Sequence, residues 1–279
     1  MKSWTITKFK AAKGGQKTAC VTAYDYAFAR LADEAGLPLV LVGDSLGMTM
    51  LGYASTLPVT MEEMLHHTAA VARGTVKNTL VVGDMPFLSY QVSLEEGLRN
   101  AGRFLQAGAD AVKLEGGACR AELIRACVAT GIPVMGHIGL TPQSVNLLGG
   151  FKVQGKTREA CEQLLRDAKA LDAAGVFSIV LECTPPDLAK AITESVSVPT
   201  ISVGAGPHCD SQMLVLHDML GLTEGHVPKF VKRYAELGET VKAAFSTFAR
   251  EVSEGQFPAP EQVYPPTGFF SESSPASDG

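Results

Sequence analysis

No two of the six cysteines stand in a C-x-x-C pair: Cys20, Cys119, Cys127, Cys161, Cys183 and Cys209 are scattered along the chain. That scatter excludes a zinc knot and a dithiol redox motif, and it fits reduced thiols used as small apolar residues. No apolar run approaches the ~20 residues of a membrane span. The first residues, MKSWTITKFKAAKGG, lack the apolar stretch of a secretory signal. The expectation is therefore a cytoplasmic protein with no membrane partner. Basic runs are missing too, and the formal charge is only -5, so nothing in the chain tracks a phosphate backbone and nucleic acid is not an expected partner. A Gly-rich dinucleotide turn after the first strand is also absent. Tyr24-Asp25-Tyr26 stands in its place, which argues against an open doubly wound sheet.

What the chain does have is 46% hydrophobic residues and 28 glycines in 279 positions, the content a buried parallel sheet with many tight turns requires. One phrase recurs, a helix that ends at glycine and feeds an apolar strand: DEAGLPLVLVGD, LQAGADAVKLEGG, VATGIPVMGHIG and DAAGVFSIVLEC. Gly36, Gly108, Gly131 and Gly175 sit where a helix end needs positive φ. With KTACVTAYD, TLVVGDMP, VPTISVGAG and the weaker MLVLHDML, the count reaches eight strands, each followed by something helical. That pattern predicts a closed (β/α)8 barrel over residues 1–254. The amphipathic stretch Val227–Glu254 is predicted as its last helical layer, with an exposed face for an oligomer contact. Residues 255–279 are rich in Pro, Ser and Gly and predict an extended arm ending in disorder, with Phe257, Tyr264, Phe269 and Phe270 as docking anchors.

The stretch LVLVGDSLGMTMLGYASTLPVTMEEM (39–64) organises the functional reading. It begins as a strand buried on both faces, stops at Gly43-Asp44-Ser45, and continues into a long loop of the kind used for lids and binding. Thr60 then caps a helix with Glu62 and Glu63 in its first turn. In a barrel, the residues at the carboxyl ends of strands face the site. The strand ends here deliver Asp44 and Ser45, then Asp84, then Lys113 and Glu115, then His137, then Glu182. Asp44, Asp84 and Glu115 are hard oxygen ligands suited to Mg²⁺ or a similar divalent cation, and without one they would repel each other. Lys113, kept charged by those neighbours, suits a substrate carboxylate better than a Schiff base, with a plain salt bridge as the alternative. Ser45 adds a hydroxyl or N–H to the same carboxylate. Glu182 follows an apolar run and is the expected general base. Its other possible use, capping the helix near Pro185, is better filled by Thr184. His137 stays outside the main assignment as either a proton-transfer residue or a core histidine. Gly204-Ala205-Gly206 is a weak candidate phosphate loop.

The motifs VTAYDYAFARLADEAG, VGDSLGM, LGYASTLPVT, HTAAVARG, GDMPF with SYQ, AVKLEGG, PVMGHIGLTPQS, GGFKVQGK and VLHDMLG together resemble the ketopantoate hydroxymethyltransferase family, from about Thr18 to Gly221. The resemblance implies a TIM barrel of the phosphoenolpyruvate/pyruvate-like superfamily and a homo-oligomer, typically a decamer. It also implies transfer of a hydroxymethyl group from 5,10-methylenetetrahydrofolate to 3-methyl-2-oxobutanoate, giving 2-dehydropantoate through a Mg²⁺-stabilised enolate. By the same resemblance Asp44, Ser45, Asp84 and Lys113 bind the keto acid, Asp44, Asp84 and Glu115 hold the metal, and Glu182 is the base. The chain departs from the family's usual pattern at Ala69, Ser202 and Ser211. A metal-dependent C–C lyase or mutase of the same superfamily is the alternative, although the Lys-Lys-Cys-Gly-His lid of the isocitrate type is absent. A non-catalytic barrel scaffold is a further alternative, one that would need no agreement among strand-end acids.

Overall fold

The computed structural model describes residues 2–225, 227–267 and 269. Eight parallel strands form a closed barrel in sequence order: β1 Thr18–Thr22, β2 Leu39–Val42, β3 Leu80–Asp84, β4 Ala111–Glu115, β5 Val134–Gly139, β6 Ser178–Glu182, β7 Thr200–Val203 and β8 Ser211–Leu214. The β1–β8 pair closes it, with Thr18 opposite Ser211 and Val21 opposite Leu214. Side chains alternate along each strand. Leu39, Leu41, Leu80, Val82, Ala111, Met135, Val180, Ile201 and Met213 therefore fill the barrel, while Val40, Val42, Val81, Val112, Leu114, Ile179 and Leu181 pack outward against the helices.

The amino-terminal end of the barrel is stoppered. Ser3 and Trp4 donate their N–H groups to the carbonyls of Lys77 and Asn78, just ahead of β3, and the helix Ile6–Ala11 pushes Phe9 edge-on against Phe177, 6.0 Å between ring centres. Asp210 fastens this plug. Its carboxylate accepts from the N–H groups of Gly14 and Thr200, each at 2.8 Å, and pairs with Lys13 at 3.1 Å. Burial alone would raise the pKa of Asp210, but those N–H donors and Lys13 outweigh it and hold the carboxyl below its ordinary range.

The helices obey the local signals. Thr60 caps the helix Met61–Gly74 in a reciprocal capping box with Glu63. Gly36, Gly108, Gly131 and Gly175 all take positive φ. Three expectations need correction. The chain passes from β7 to β8 through Gly204–Asp210 with no intervening helix. The eighth strand begins at Ser211, not Met213, and Leu216–Met219 turns into a short helix. The last long helix is Leu237–Ser253, not the whole of 227–254. The residues before it spend their backbone elsewhere, Tyr234 N–H on the Met219 carbonyl and Leu237 N–H on that of Leu220, and Pro228 has no N–H to give.

That last helix has no buried residue, so it forms no layer on its own barrel. Of the anchors in the arm, Phe257 stacks edge-on against Phe248 with ring centres 5.3 Å apart. Tyr264 and Phe269 are exposed, and Phe270 and the expected disorder beyond it lie outside the described residues. Among the described residues no helix is long and apolar enough to cross a membrane.

Candidate active site

The carboxyl ends of the strands open into one cavity of about 800 Å³ lined by all six expected residues, Asp44, Ser45, Asp84, Lys113, Glu115 and Glu182, together with His137. Strand register brings them together: Asp84 stands opposite Lys113, and Glu115 opposite His137. Gly139, opposite Glu182 on β5, has φ +97, and a Cβ there would lie 2.3 Å from the Glu182 carbonyl. Only glycine lets the two strand ends approach so closely.

The Lys113 ammonium meets Asp84 Oδ2 at 2.5 Å, with both side chains almost fully buried. Burial by itself would lower the lysine pKa, but Asp84, Asp44 and Glu115 overcome it and hold the amine charged above its ordinary range. A nucleophilic amine is disfavoured. Asp44 is shifted the opposite way to an ordinary paired acid. Burial first, then repulsion from Asp84, raises its pKa well above the carboxylate range against the pull of Lys113. Lys113, with the His137 imidazole set between Glu115 and Glu182, faces four acids, a deficit of positive charge that a divalent ion would relieve.

One further observation fits such an ion. Asp84 Oδ1 and Glu115 Oε1 are buried without a hydrogen-bond partner, which is costly unless something else occupies them. Among the described residues no three acidic or histidine side chains are already drawn into a finished ligand shell. Mg²⁺ does not need one, since it usually keeps several waters and takes only one or two carboxylates beside its substrate.

Ser45 Oγ lies 2.9 Å from the Tyr24 hydroxyl, so the tyrosine can donate and leave the serine proton for a ligand. On the opposite wall Glu182, with a side chain 19% exposed, faces the His137 Nε2 at 3.2 Å, while His137 Nδ1 lies 3.6 Å from Glu115. Neither ring nitrogen makes a well-directed hydrogen bond, so these contacts are ionic in character. Burial and Lys113 push the imidazole pKa down, yet Glu115 and Glu182 lift it to about 9. The surroundings of Glu182 are therefore less apolar than the SIVLE run predicts, and His137 belongs to the site. Thr184 does not cap the following helix. Its hydroxyl is buried without a partner, and the residue before the helix is Pro185.

Cys183, next to the base, is held at φ +46, a conformation a non-glycine residue keeps only under constraint. Its N–H donates to the Val203 carbonyl and its carbonyl accepts from Gln154, which turns the chain at the cavity rim. The Gly204-Ala205-Gly206 loop does not line the cavity. Its glycines make the tight β7–β8 turn, and a Cβ at Gly204 would strike the Phe230 ring at 2.5 Å. Ser202 pins that turn by accepting the Ala205 N–H at 3.0 Å. Sequence reasoning missed Gln143, a buried residue in the turn after β5 that touches Asp44 and Glu115. Its only trace was the TPQ following the strand.

Buried acids from consecutive strands, gathered around one charged lysine at the carboxyl end of a closed barrel, define a (β/α)8 barrel of the enzyme class, with its site at the strand ends. Solved structures of similar fold include phosphonopyruvate hydrolase (TM-score 0.61, 16% identity, 96% of this chain and 92% of that one). Another is oxaloacetate acetylhydrolase in complex with the product oxalate (TM-score 0.60, 14% identity, 95% and 93%). Within that class the chain belongs to the ketopantoate hydroxymethyltransferase family, whose sequence model matches residues 3–260. It is 59% identical over 256 residues to the 3-methyl-2-oxobutanoate hydroxymethyltransferase of Carboxydothermus hydrogenoformans, covering 91% of this chain and 92% of that protein. It is 58% identical over 253 residues to the enzyme of the same name from Heliobacterium modesticaldum, covering 90% and 91%. The chain is accordingly a transferase, and both the lyase or mutase alternative and the inert scaffold give way.

Proposed function

We propose that this enzyme transfers a hydroxymethyl group from 5,10-methylenetetrahydrofolate to 3-methyl-2-oxobutanoate, giving 2-dehydropantoate for pantothenate biosynthesis. The observation that carries this reading is the division of one cavity into two walls: Asp44, Asp84, Glu115 and Lys113 on one, Glu182 on the other. A keto acid is bound at its carboxylate end by the Lys113 ammonium and the Ser45 hydroxyl, which leaves its C3 directed toward Glu182. Asp44, Asp84 and Glu115 would hold Mg²⁺ or a similar divalent cation, which supplies a Lewis acid for the keto oxygen and so acidifies the neighbouring C–H. Glu182 takes the C3 proton. The electron pair left behind forms the C–C bond to the one-carbon unit, both C–N bonds that tie that unit to N5 and N10 of the folate break, water provides the hydroxyl, and the C3 proton and one water proton end on the two folate nitrogens. The cavity far exceeds what a small keto acid fills, and its outer part, lined by Tyr53, Phe151, His217 and Phe230, suits a flat bicyclic pterin.

The test is an NMR assay of both substrates with Mg²⁺, with and without EDTA. Formation of 2-dehydropantoate that EDTA abolishes and added Mg²⁺ restores is the expected result. No product from folded, metal-loaded protein would remove the reading.

The same proposal includes a homo-oligomer in the cytoplasm, a decamer by family resemblance. Its support is the helix Leu237–Ser253, where Val241, Phe245, Phe248 and Val252 are exposed at the spacing of a single helical face. Light scattering is expected to give a mass several times 29.4 kDa. A monomer mass at micromolar concentration would discard this part.

A further inference from the structure

Gln143 spends every hydrogen-bonding valence of its amide inside the site. It is 4% exposed and sits in the turn Pro142–Ser144 directly after β5. Nε2 donates to Asp44 Oδ2 at 3.0 Å and to the Met85 carbonyl at 2.9 Å. Oε1 accepts from the Tyr90 hydroxyl at 2.7 Å and from Gln91 Nε2 at 3.2 Å. The orientation of the amide is not arbitrary. The Met85 carbonyl can only accept, so the NH₂ must face it and, with it, Asp44.

The network continues on both sides. Tyr90 Oη accepts the Glu115 N–H at 3.1 Å, which leaves its own proton for Gln143 Oε1. The backbone N–H of Gln143 donates to Glu115 Oε2 at 3.1 Å. One residue therefore holds one oxygen of Asp44 and one of Glu115. Asp84 is treated alike by a different partner, its Oδ2 taken by Lys113. The buried oxygens left over are Asp84 Oδ1 and Glu115 Oε1. Asp84 and Glu115 thus each keep one oxygen hydrogen-bonded to protein and one without a hydrogen bond, the Glu115 one with His137 Nδ1 3.6 Å away, while Asp44 is held through Oδ2.

We infer that Gln143, oriented by Tyr90, is a positioning residue that fixes the two outer acids of the site, Asp44 by Oδ2 and Glu115 by Oε2, so that both carboxylates are held in place for a divalent cation. This rests on the reading of Asp44, Asp84 and Glu115 as cation ligands. An apolar side chain of the same length cannot replace the amide, because Asp44 Oδ2, the Met85 carbonyl and the Tyr90 hydroxyl all lose a partner at once. Freed from Gln143, the Asp44 carboxylate turns toward whatever donor remains, and Lys113 is the nearest cation in the site.

The test measures Mn²⁺ binding to the full chain without substrate, by the electron paramagnetic resonance signal of free Mn²⁺, alongside thermal unfolding in EDTA. Gln143→Met is expected to weaken Mn²⁺ binding at least ~10-fold, in line with the loss on removing outer-shell partners of metal ligands. Tyr90→Phe, which keeps the ring and removes only the donor that orients the amide, is expected to weaken it ~3-fold. The double variant should be no worse than Gln143→Met alone, because both act through one contact. A residue that merely supported the fold would lower the melting temperature and leave the affinity of the folded protein unchanged, and that result overturns the inference. If Gln143→Met does not fold, Tyr90→Phe decides, and an unchanged affinity there overturns it equally. If the parent chain itself binds no Mn²⁺, the cation reading of the site fails and takes this inference with it. A parent that binds normally beside unaffected variants removes the role of Gln143 alone.

Discussion

Glu182→Gln is expected to lower turnover by about a thousandfold, within the range of roughly 10²–10⁴ that a positioned general base contributes. The amide keeps the volume of the carboxylate, so the strand end, the approach to Gly139 and the acids on the other wall are undisturbed. What it loses is the ability to accept a proton from carbon. The decisive measurement is exchange of the C3 hydrogen of 3-methyl-2-oxobutanoate into D₂O without folate, followed by NMR. This isolates proton abstraction from the later C–C bond. Exchange should disappear in the variant while the keto acid still binds with near-parent affinity. Exchange within about threefold of the parent would exclude Glu182 as the base and turn attention to His137, which lies 3.2 Å away.

The second large effect is on Lys113→Met, and it should appear in stability as well as activity. Removing one partner of a buried ion pair costs about 3–5 kcal/mol, because the remaining charge is left uncompensated. Here three acids would share that fate. Asp44 already has a raised pKa with the lysine present, and losing the lysine, which pulls it down, raises it further. The sign follows from linkage. A carboxyl whose folded pKa exceeds its unfolded value of about 3.9 binds more protons in the folded state, so stability is lost as pH rises from the unfolded toward the folded pKa. Lys113→Met should therefore unfold more readily at pH 8 than at pH 5, and added Mg²⁺ should recover part of the loss at pH 8. Urea unfolding at the two pH values, with and without Mg²⁺, reads both effects. A variant whose midpoint ignores pH and metal would show that the lysine does not compensate these acids. Activity is expected to fall at least ~100-fold, mostly through KM for the keto acid, if the ammonium binds the substrate carboxylate as proposed.

The acids and the lysine were legible in the sequence because strands have a period. Once LVLV, TLVVGD, AVKLE and SIVLE are read as buried strands, alternation places Lys113 and Glu115 on one face, and Asp44 and Asp84 stand out as the acids at which two neighbouring apolar runs stop. Closure of the barrel gathers those strand ends into a ring. Nothing comparable acts on loops. Gln143 and Tyr90 lie in turns where no periodicity predicts direction, and their importance emerges only when distant segments meet. His137 was ambiguous for another reason: a single histidine in an apolar strand looks the same whether or not an acid on each neighbouring strand reaches it. The helix Leu237–Ser253 was misjudged because its amphipathic pattern reports an apolar face without saying what covers that face. In this chain its own barrel does not cover it.

The Phe9 stopper at the amino-terminal end has a consequence for traffic. The barrel is a flask with one neck, since Phe9, Phe177 and the layers of valine and leucine above them leave no rear exit. Both reactants and product must share the mouth where the carboxyl ends of the strands open. On the proposed reaction the keto acid belongs at the floor, against Lys113, and a pterin is wide enough to cork the neck. Loading in the wrong sequence would therefore seal an empty chamber. For the proposed reaction shape would set the queue: the small keto acid descends first, the one-carbon carrier closes over it, and the spent carrier lifts off before the product can climb out.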